Sequence, residues 1–330
     1  MNKTNKAIQG LGIPYAALIS VVFGIMVISF PIGAFVMFNS NIGNEINFEY
    51  PLSGFDFFLG GIGYEIPVEF EIGDAFIVIW VLFLILFTIS FLGPKRDFLK
   101  TLIPIVSNGK YPLESNYLVS MIKWFSILVL VSGIINFAQE SVGVTIEAPP
   151  AKNELIRFYD VTIAPIIEEI GFRVLLIGLP LFAFYSHKTS FSHFFKSLWN
   201  PSDNLNIFDS QKAITLIVIV AVFFGIAHIL SGEPWSSGKF TQAAISGIII
   251  GWVYFRIGLV PAILIHWATN YFVFSYVYMI ADFAEVSVSE AFEHSLMTVF
   301  EMLFIALGII SITMMIINRY FFKKKEKLEI

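Results

Sequence analysis

The sequence predicts an all-α protein, a polytopic bundle of about eight transmembrane helices that forms a single integral membrane domain over residues 1–330. Of its 330 residues 57% are hydrophobic, and the mean hydropathy is +0.79. Only 14% of the residues are charged, whereas soluble domains carry about 25%. Much of the apolar excess occurs in runs long enough for helices to cross about 30 Å of hydrocarbon.

Eight apolar segments are candidate helices, and the fourth and sixth are unusual. They lie near 14–38, 75–94, 117–138, 155–185, 213–231, 241–257, 259–280 and 296–318. The first is too long for the apolar part of a signal peptide and is expected to be retained. The fourth is long, and we expect Pro180 to break it near its end. The sixth is short.

The charges of the loops predict the orientation of the bundle. Segments 1–13, 95–116, 186–212 and 319–330 and the turn at Arg256 hold 15 of the 20 Lys and Arg residues. The opposite segments 39–74, 139–154, 232–240 and 281–295 hold two, Lys152 and Lys239. Since basic residues accumulate on the cytosolic side, both termini are predicted to be cytosolic.

Two connecting segments are predicted to fold locally. Residues 39–74 hold seven acidic residues and no basic one, mixed with glycine and aromatic residues, and are expected to form an extracytoplasmic loop, small cap or hairpin. The stretch FSHFFKSLW, 191–199, has apolar side chains at helical spacing and is expected to lie on the inner leaflet. The simpler alternative for both is an ordered connector.

Five ionisable residues lie too deep in the predicted helices to reach an interface by snorkelling. They are Glu168, Glu169, Arg173, His228 and His266. Ionisable groups inside a membrane are costly and usually mark a wet cavity or a functional site. The chain has no cysteine, so thiolate nucleophiles and cysteine-based metal sites are excluded.

Spacing distinguishes the two adjacent carboxylates of the stretch APIIEEIGFRVLLIGLP, residues 164–180. Glu169 and Arg173 are four residues apart, so on an α-helix they lie on one face and can form a neutral pair. Glu168 is rotated by about 100° and has no partner at that spacing. Glu168 is therefore the candidate general base.

Two later helices carry the remaining candidates. Phe224 and His228 are four residues apart in FFGIAHIL, as are His266 and Asn270 in LIHWATN. Histidine and asparagine on one face form a two-donor patch that suits a developing oxyanion. Together with Glu168 these residues predict a site between helices. In straight helices the two histidines lie at different depths, so the helices must tilt, break or start deeper for them to meet.

These three motifs, in this order, resemble the signature of the CPBP family, which includes the type II CAAX prenyl protease and the bacterial Abi-like proteins. The family pattern EExxxR, FxxxH and HxxxN/D is complete here, and the resemblance covers roughly residues 155–280, the expected catalytic core. The resemblance implies an intramembrane endopeptidase that hydrolyses a peptide bond in a hydrophobic, membrane-associated or prenylated substrate.

The resemblance also implies a role for each residue. Glu168 would activate water with the help of His228. His266 and Asn270 would stabilise the tetrahedral oxyanion. The supporting residues Glu169, Arg173 and Phe224 would hold the geometry.

The same residues leave a zinc mechanism open. Glu168, His228 and His266 are three ligands of the kind that a catalytic zinc takes, with water in the fourth position. The sequence has no HExxH helix, and the pairing of His266 with Asn270 suits an oxyanion better. We therefore expect no cofactor, with zinc as the alternative.

The expected partners are membrane lipid and a hydrophobic or lipidated peptide substrate. Nucleic acid is not an expected partner, and the oligomeric state is not predicted. The resemblance favours a prokaryotic cell membrane. Two other classes remain open: a proton-coupled transporter, in which buried Glu and His residues relay protons, and a non-catalytic membrane scaffold with the same fold.

Overall fold

The computed structural model describes residues 3–52, 54–59, 62–109, 116–207, 210–230 and 235–326. It is the predicted all-α bundle. In chain order the helices α1–α14 are Lys3–Asn39, Ile72–Leu92, Phe98–Asn108, Tyr117–Glu140, Glu154–Glu168, Leu179–Tyr185, Phe191–Trp199, Pro201–Asn204, Ser210–Leu230, Lys239–Arg256, Leu259–Trp267, Val273–Ala284, Val288–Phe292 and Ser295–Glu326. Two π-helical segments, Glu169–Gly178 and Ala268–Phe272, join α5 to α6 and α11 to α12 without a loop.

Within the described part of the chain, six helical segments are long and apolar enough to cross a membrane. They are Lys6–Asn39, Ile72–Leu92, Tyr117–Glu140, Ser210–Leu230, Leu259–Ala284 and Ser295–Tyr320. The chain is therefore an integral membrane protein. The fourth and sixth predicted segments are also helical, but they fall outside this set, so the total of eight crossings stays a prediction.

The fourth predicted helix is one continuous run from Glu154 to Tyr185, through α5, the first π-helical segment and α6. The expectation that Pro180 breaks this run is wrong, because Pro180 occupies the first turn of α6. The backbone N–H of Leu179 donates to the oxygen of Val174, five residues back. The change from π- to α-helical bonding thus falls beside Pro180, where a missing N–H is tolerated.

Residues 39–74 contain four short strands in two antiparallel pairs. Strand β1, Pro51–Leu52, pairs with β4, Phe70–Glu71, and β2, Phe55–Leu59, pairs with β3, Ile62–Ile66. The side chain of Asn153 caps the start of α5, and its amide donates to the oxygen of Gly43 at 3.2 Å. This hydrogen bond connects residues 39–74 to the start of α5. The side of the membrane on which the cap lies stays a prediction.

The stretch 191–199 forms the predicted short helix, α7. Leu198 is buried, whereas Phe191, Phe195 and Trp199 are exposed. One face of α7 therefore packs on the protein and the other presents aromatic rings, as an interfacial helix requires. Its position on the inner leaflet stays a prediction.

Helix α11 is buried on all sides, which places it inside the bundle. Gly258 precedes it with a φ of 126°, and a Cβ atom there would lie 2.9 Å from the backbone oxygen of Trp199. Trp267 near its end contacts a cluster of aromatic rings, with centroid distances of 5.2 Å to Phe30 and 5.7 Å to Tyr271. Helix α11 thus starts within the protein. A deeper start is one of the three changes by which His228 and His266 were expected to reach the same depth.

Candidate catalytic site

The two adjacent carboxylates lie at the junction between α5 and the first π-helical segment. Glu168 is the last residue of α5, and Glu169 is the first residue of the π-helical segment. The side chain of Glu169 is fully buried, whereas 23% of the Glu168 side chain is exposed. The junction therefore directs one carboxylate into the protein and leaves the other partly exposed.

Glu169 and Arg173 form the predicted ion pair, with the Arg173 Nε 3.1 Å from the Glu169 Oε2. Both side chains are buried. The guanidinium carbon of Arg173 also lies 4.4 Å from the ring centroid of Phe224, so the aromatic face stabilises the buried cation. The pair occurs in a π-helical turn instead of the expected α-helical one.

His266 lies between the two carboxylates. Its Nδ1 is 2.9 Å from the Glu169 Oε1, and its Nε2 is 3.7 Å from the Glu168 Oε2. The short contact is a hydrogen bond in which the Nδ1–H donates to Glu169, and the longer one exceeds hydrogen-bond length. His266 is thereby oriented with its Nε2 toward Glu168.

His228 lies near the end of α9 and is oriented by its own helix. Its Nδ1 is 2.8 Å from the backbone oxygen of Phe224. Because a carbonyl oxygen only accepts, Nδ1 carries the proton and the neutral ring keeps a lone pair on Nε2. Glu168 and His266 both lie close enough to His228 to interact with it electrostatically. The Nε2 of His228 is therefore available as a base near Glu168.

The ring of Phe224 is the packing centre of this site. Its centroid lies 4.6 Å from that of His228, 6.2 Å from that of His266 and 5.0 Å from that of Phe172. All three ring pairs are close to perpendicular, the edge-to-face arrangement that aromatic rings favour. Phe224 therefore holds the two imidazoles and Arg173 around one ring.

Asn270 lies in the second π-helical segment, one turn beyond His266. The hydroxyl of Thr269 donates to the backbone oxygen of His266 at 2.8 Å and is 3.3 Å from the Asn270 Oδ1. Among the described residues, the Asn270 amide nitrogen has no hydrogen-bond acceptor. Within that part of the chain, its two N–H groups are thus without a partner.

The structure brings residues of all three motifs together, with Asn270 one turn beyond His266, and adds a contact that spacing did not predict. From the spacing alone, Glu169 was predicted to contact only Arg173, and no partner was predicted for Glu168. In the structure Glu169 also orients His266, which in turn faces Glu168. Contacts within one helix can be read from the sequence, but a contact between helices almost 100 residues apart cannot.

The zinc alternative stays a prediction. Within the described residues, no three His, Asp or Glu side chains are grouped closely enough to hold a metal ion. The hydrogen bond from the His266 Nδ1–H to Glu169 is also the arrangement by which carboxylates orient metal-binding histidines, and it leaves the Nε2 directed at Glu168.

A comparison with known protein families identifies one region of the chain. Residues 152–272 match the family model described as Type II CAAX prenyl endopeptidase Rce1-like. The match runs from just before α5 to the end of the second π-helical segment, so it contains every residue of the candidate site. No curated protein and no solved structure matches the chain.

Proposed function

We propose that this chain, whose residues 152–272 match the Rce1-like CAAX endopeptidase family model, is a CPBP-family protein and hydrolyses a peptide bond in a membrane-associated substrate. The family as a whole implies CAAX-type intramembrane proteolysis. The substrate class that we propose is a hydrophobic peptide or protein segment, prenylated or otherwise apolar, in a prokaryotic cell membrane. The observation that carries the proposal is the position of His266 between Glu168 and Glu169.

Glu168 is proposed to be the general base. Its carboxylate removes a proton from water as the water oxygen attacks the carbonyl carbon of the scissile bond. His228 assists, because its Nε2 lone pair can accept or relay this proton. When the C–N bond breaks, the same proton passes to the leaving amine, so the products are a new carboxyl group and a new amine.

Asn270 and His266 are proposed to stabilise the oxyanion. The free amide N–H groups of Asn270 supply neutral donors, and His266 supplies its Nε2–H when that nitrogen is protonated. Donors fixed before the reaction stabilise developing charge without rearrangement. The Thr269 hydroxyl, which bonds the backbone of His266, links the two residues.

The buried pair of Glu169 and Arg173 is proposed to position the reacting groups. Glu169 fixes the ring plane of His266 through Nδ1, and Arg173 balances the buried negative charge. The role resembles that of a carboxylate that orients a catalytic histidine in other hydrolases. Neither side chain needs to contact the substrate.

Metal-free hydrolysis is the version that we propose, and the zinc-dependent version is its alternative. We expect purified protein to keep its rate after treatment with a chelator, because Glu168 activates water directly. Metal analysis of the same sample checks that the protein is free of zinc. Loss of activity on chelation, restored by added zinc, would support the alternative.

Transport and a scaffold role are the competing functions. A transporter needs buried ionisable groups but no oriented base beside oxyanion donors, and a scaffold has no need for Glu168 to be acidic. We expect a proteomic comparison of membranes to show peptide fragments that accumulate with wild-type protein and not with Glu168→Gln. Identical fragment patterns at equal protein levels would contradict hydrolysis, and the fragments themselves identify the substrate.

A further inference from the structure

Lys239, the first residue of α10, lies beside His228 and has no part in the mechanism above. Its Nζ donates to the Gln242 Oε1 at 2.8 Å and lies 4.2 Å from the ring centroid of Trp235. The backbone N–H of Trp235 donates in turn to the oxygen of His228 at 3.1 Å. Trp235 therefore connects the ammonium group to the end of α9 that carries the base.

The position of Lys239 is fixed by close packing of α9 against α10. A Cβ atom at Gly225, three residues before His228, would lie 2.9 Å from the backbone oxygen of Phe240. The amide of Gln139 donates to the oxygen of Gly238 at 2.9 Å, which anchors the start of α10 to α4. The ammonium thus occupies a defined place beside the site instead of a mobile surface position.

Electrostatic interactions link Lys239 to the candidate base. Burial lowers the pKa of Lys239 to about 8, and the negative charge of Glu168 opposes this shift. Lys239 and Glu168 also both interact with His228. Lys239 therefore carries a positive charge at neutral pH in a partly dehydrated place, where an anionic ligand is favoured.

The ammonium group of Lys239 has three N–H groups, and Gln242 accepts from one of them. Contact with the Trp235 ring is a cation–π interaction and needs no N–H bond. Among the described residues, no carboxylate oxygen lies within ion-pair distance of the Lys239 Nζ. Two of its N–H groups thus have no acceptor in the described part of the chain.

We propose that Lys239 binds a carboxylate of the peptide substrate and selects substrates that carry one close to the cleaved bond. The inference rests on the proposed function, because Lys239 interacts electrostatically with Glu168 and His228, the groups to which that function assigns proton transfer. The carboxylate is the C-terminus of the substrate or an acidic side chain. Lys239 is then a specificity-determining residue that takes no part in proton transfer.

Binding of short fluorescent peptides tests this inference without requiring cleavage. The probes are peptides of Ala, Leu, Val, Phe and Ser, prepared as the free acid, as the C-terminal amide, and as the amide with one internal Glu. The protein is the full chain with Glu168→Gln, in lipid nanodiscs. We expect at least one carboxylate-bearing peptide to bind about tenfold or more tightly than the plain amide.

Substitution of the lysine isolates its contribution. Lys239→Met, added to the same protein, is expected to reduce the preference below about twofold while the affinity for the plain amide is retained, which shows that the site is still folded. Lys152→Met removes the other basic charge of the predicted outer segments and is expected to leave the preference unchanged.

Each outcome of the binding experiment has a distinct meaning. Preference for the free acid identifies the C-terminus as the ligand, and preference for the internal Glu identifies an acidic side chain. Equal binding of all three peptides, or a preference that survives Lys239→Met, overturns the inference and leaves peptide hydrolysis intact. Failure of every peptide to bind also overturns the inference, whereas the proposed function is tested separately by the fragments that depend on Glu168.

Discussion

At the scale of single residues, Glu169 connects the ion pair to the histidine. It accepts from His266 through one carboxylate oxygen and pairs with Arg173 through the other. The sequence predicted the pair with Arg173, because four-residue spacing is a local property of one helix. It could not predict the hydrogen bond with His266, because that contact depends on how distant helices pack.

The ion pair leads to a prediction about stability. Glu169→Gln leaves Arg173 as a buried charge without its partner, and we expect the free energy of unfolding to fall by about 3 kcal/mol or more. The double variant Glu169→Gln/Arg173→Met removes both charges and is expected to recover most of this loss. Denaturation of the purified proteins in detergent measures both values.

The same two variants separate stability from catalysis. Hydrolysis by the double variant is expected to stay well below that of the wild type, because the charged acceptor of the His266 Nδ1–H is absent. A single variant as stable as the wild type would contradict the account of a buried pair. A double variant with full activity would contradict the orienting role of Glu169.

At the scale of helices, the site depends on two features that the sequence pattern hides. The first is the pair of π-helical segments, which carry Glu169 and Asn270. A π-helix changes hydrogen bonding without changing composition, so spacing alone predicted ordinary α-helix. The second is the close contact of α9 with α10 at Gly225, which brings His228 and Lys239 together.

The contact between α9 and α10 leads to a prediction about Gly225. Alanine normally stabilises a helix interior by up to about 1 kcal/mol relative to glycine. At Gly225, however, the added Cβ would lie 2.9 Å from the backbone oxygen of Phe240. We expect Gly225→Ala to lower the free energy of unfolding by about 1–3 kcal/mol and to reduce hydrolysis, because α10 must move away from His228.

Gly24 supplies the matched control. It lies in the interior of α1, and a Cβ there would meet no atom within 4 Å. Gly24→Ala is expected to leave the activity unchanged and the stability equal or slightly higher. If Gly225→Ala behaved like this control in both assays, close helix packing would not position the site.

At the scale of the whole molecule, composition was sufficient to predict the class of protein. Long apolar runs predicted a membrane bundle, and the structure is one. The number of crossings does not follow as directly, because the fourth predicted segment contains a π-helical part and ionisable residues at the site. Polar residues that build the site also weaken the hydropathy signal by which a crossing is recognised.

The depth of the histidines is a further property of the whole bundle. If the helices were straight, His228 and His266 would lie at different depths. In the structure, both rings pack against Phe224. Helix α11 starts inside the protein and continues as a π-helical segment, and neither feature is visible in a hydropathy pattern. Three-dimensional packing was therefore needed to show that one site is formed.

The central claim is that Glu168 is the base of a single intramembrane site. The most direct test is the rate of peptide hydrolysis by purified protein in nanodiscs, compared between wild type and Glu168→Gln at equal folded concentration. We expect a loss of about 100-fold to 10,000-fold, the usual contribution of a general base. A Glu168→Gln protein that hydrolyses the same peptide within a few-fold of the wild-type rate would contradict it.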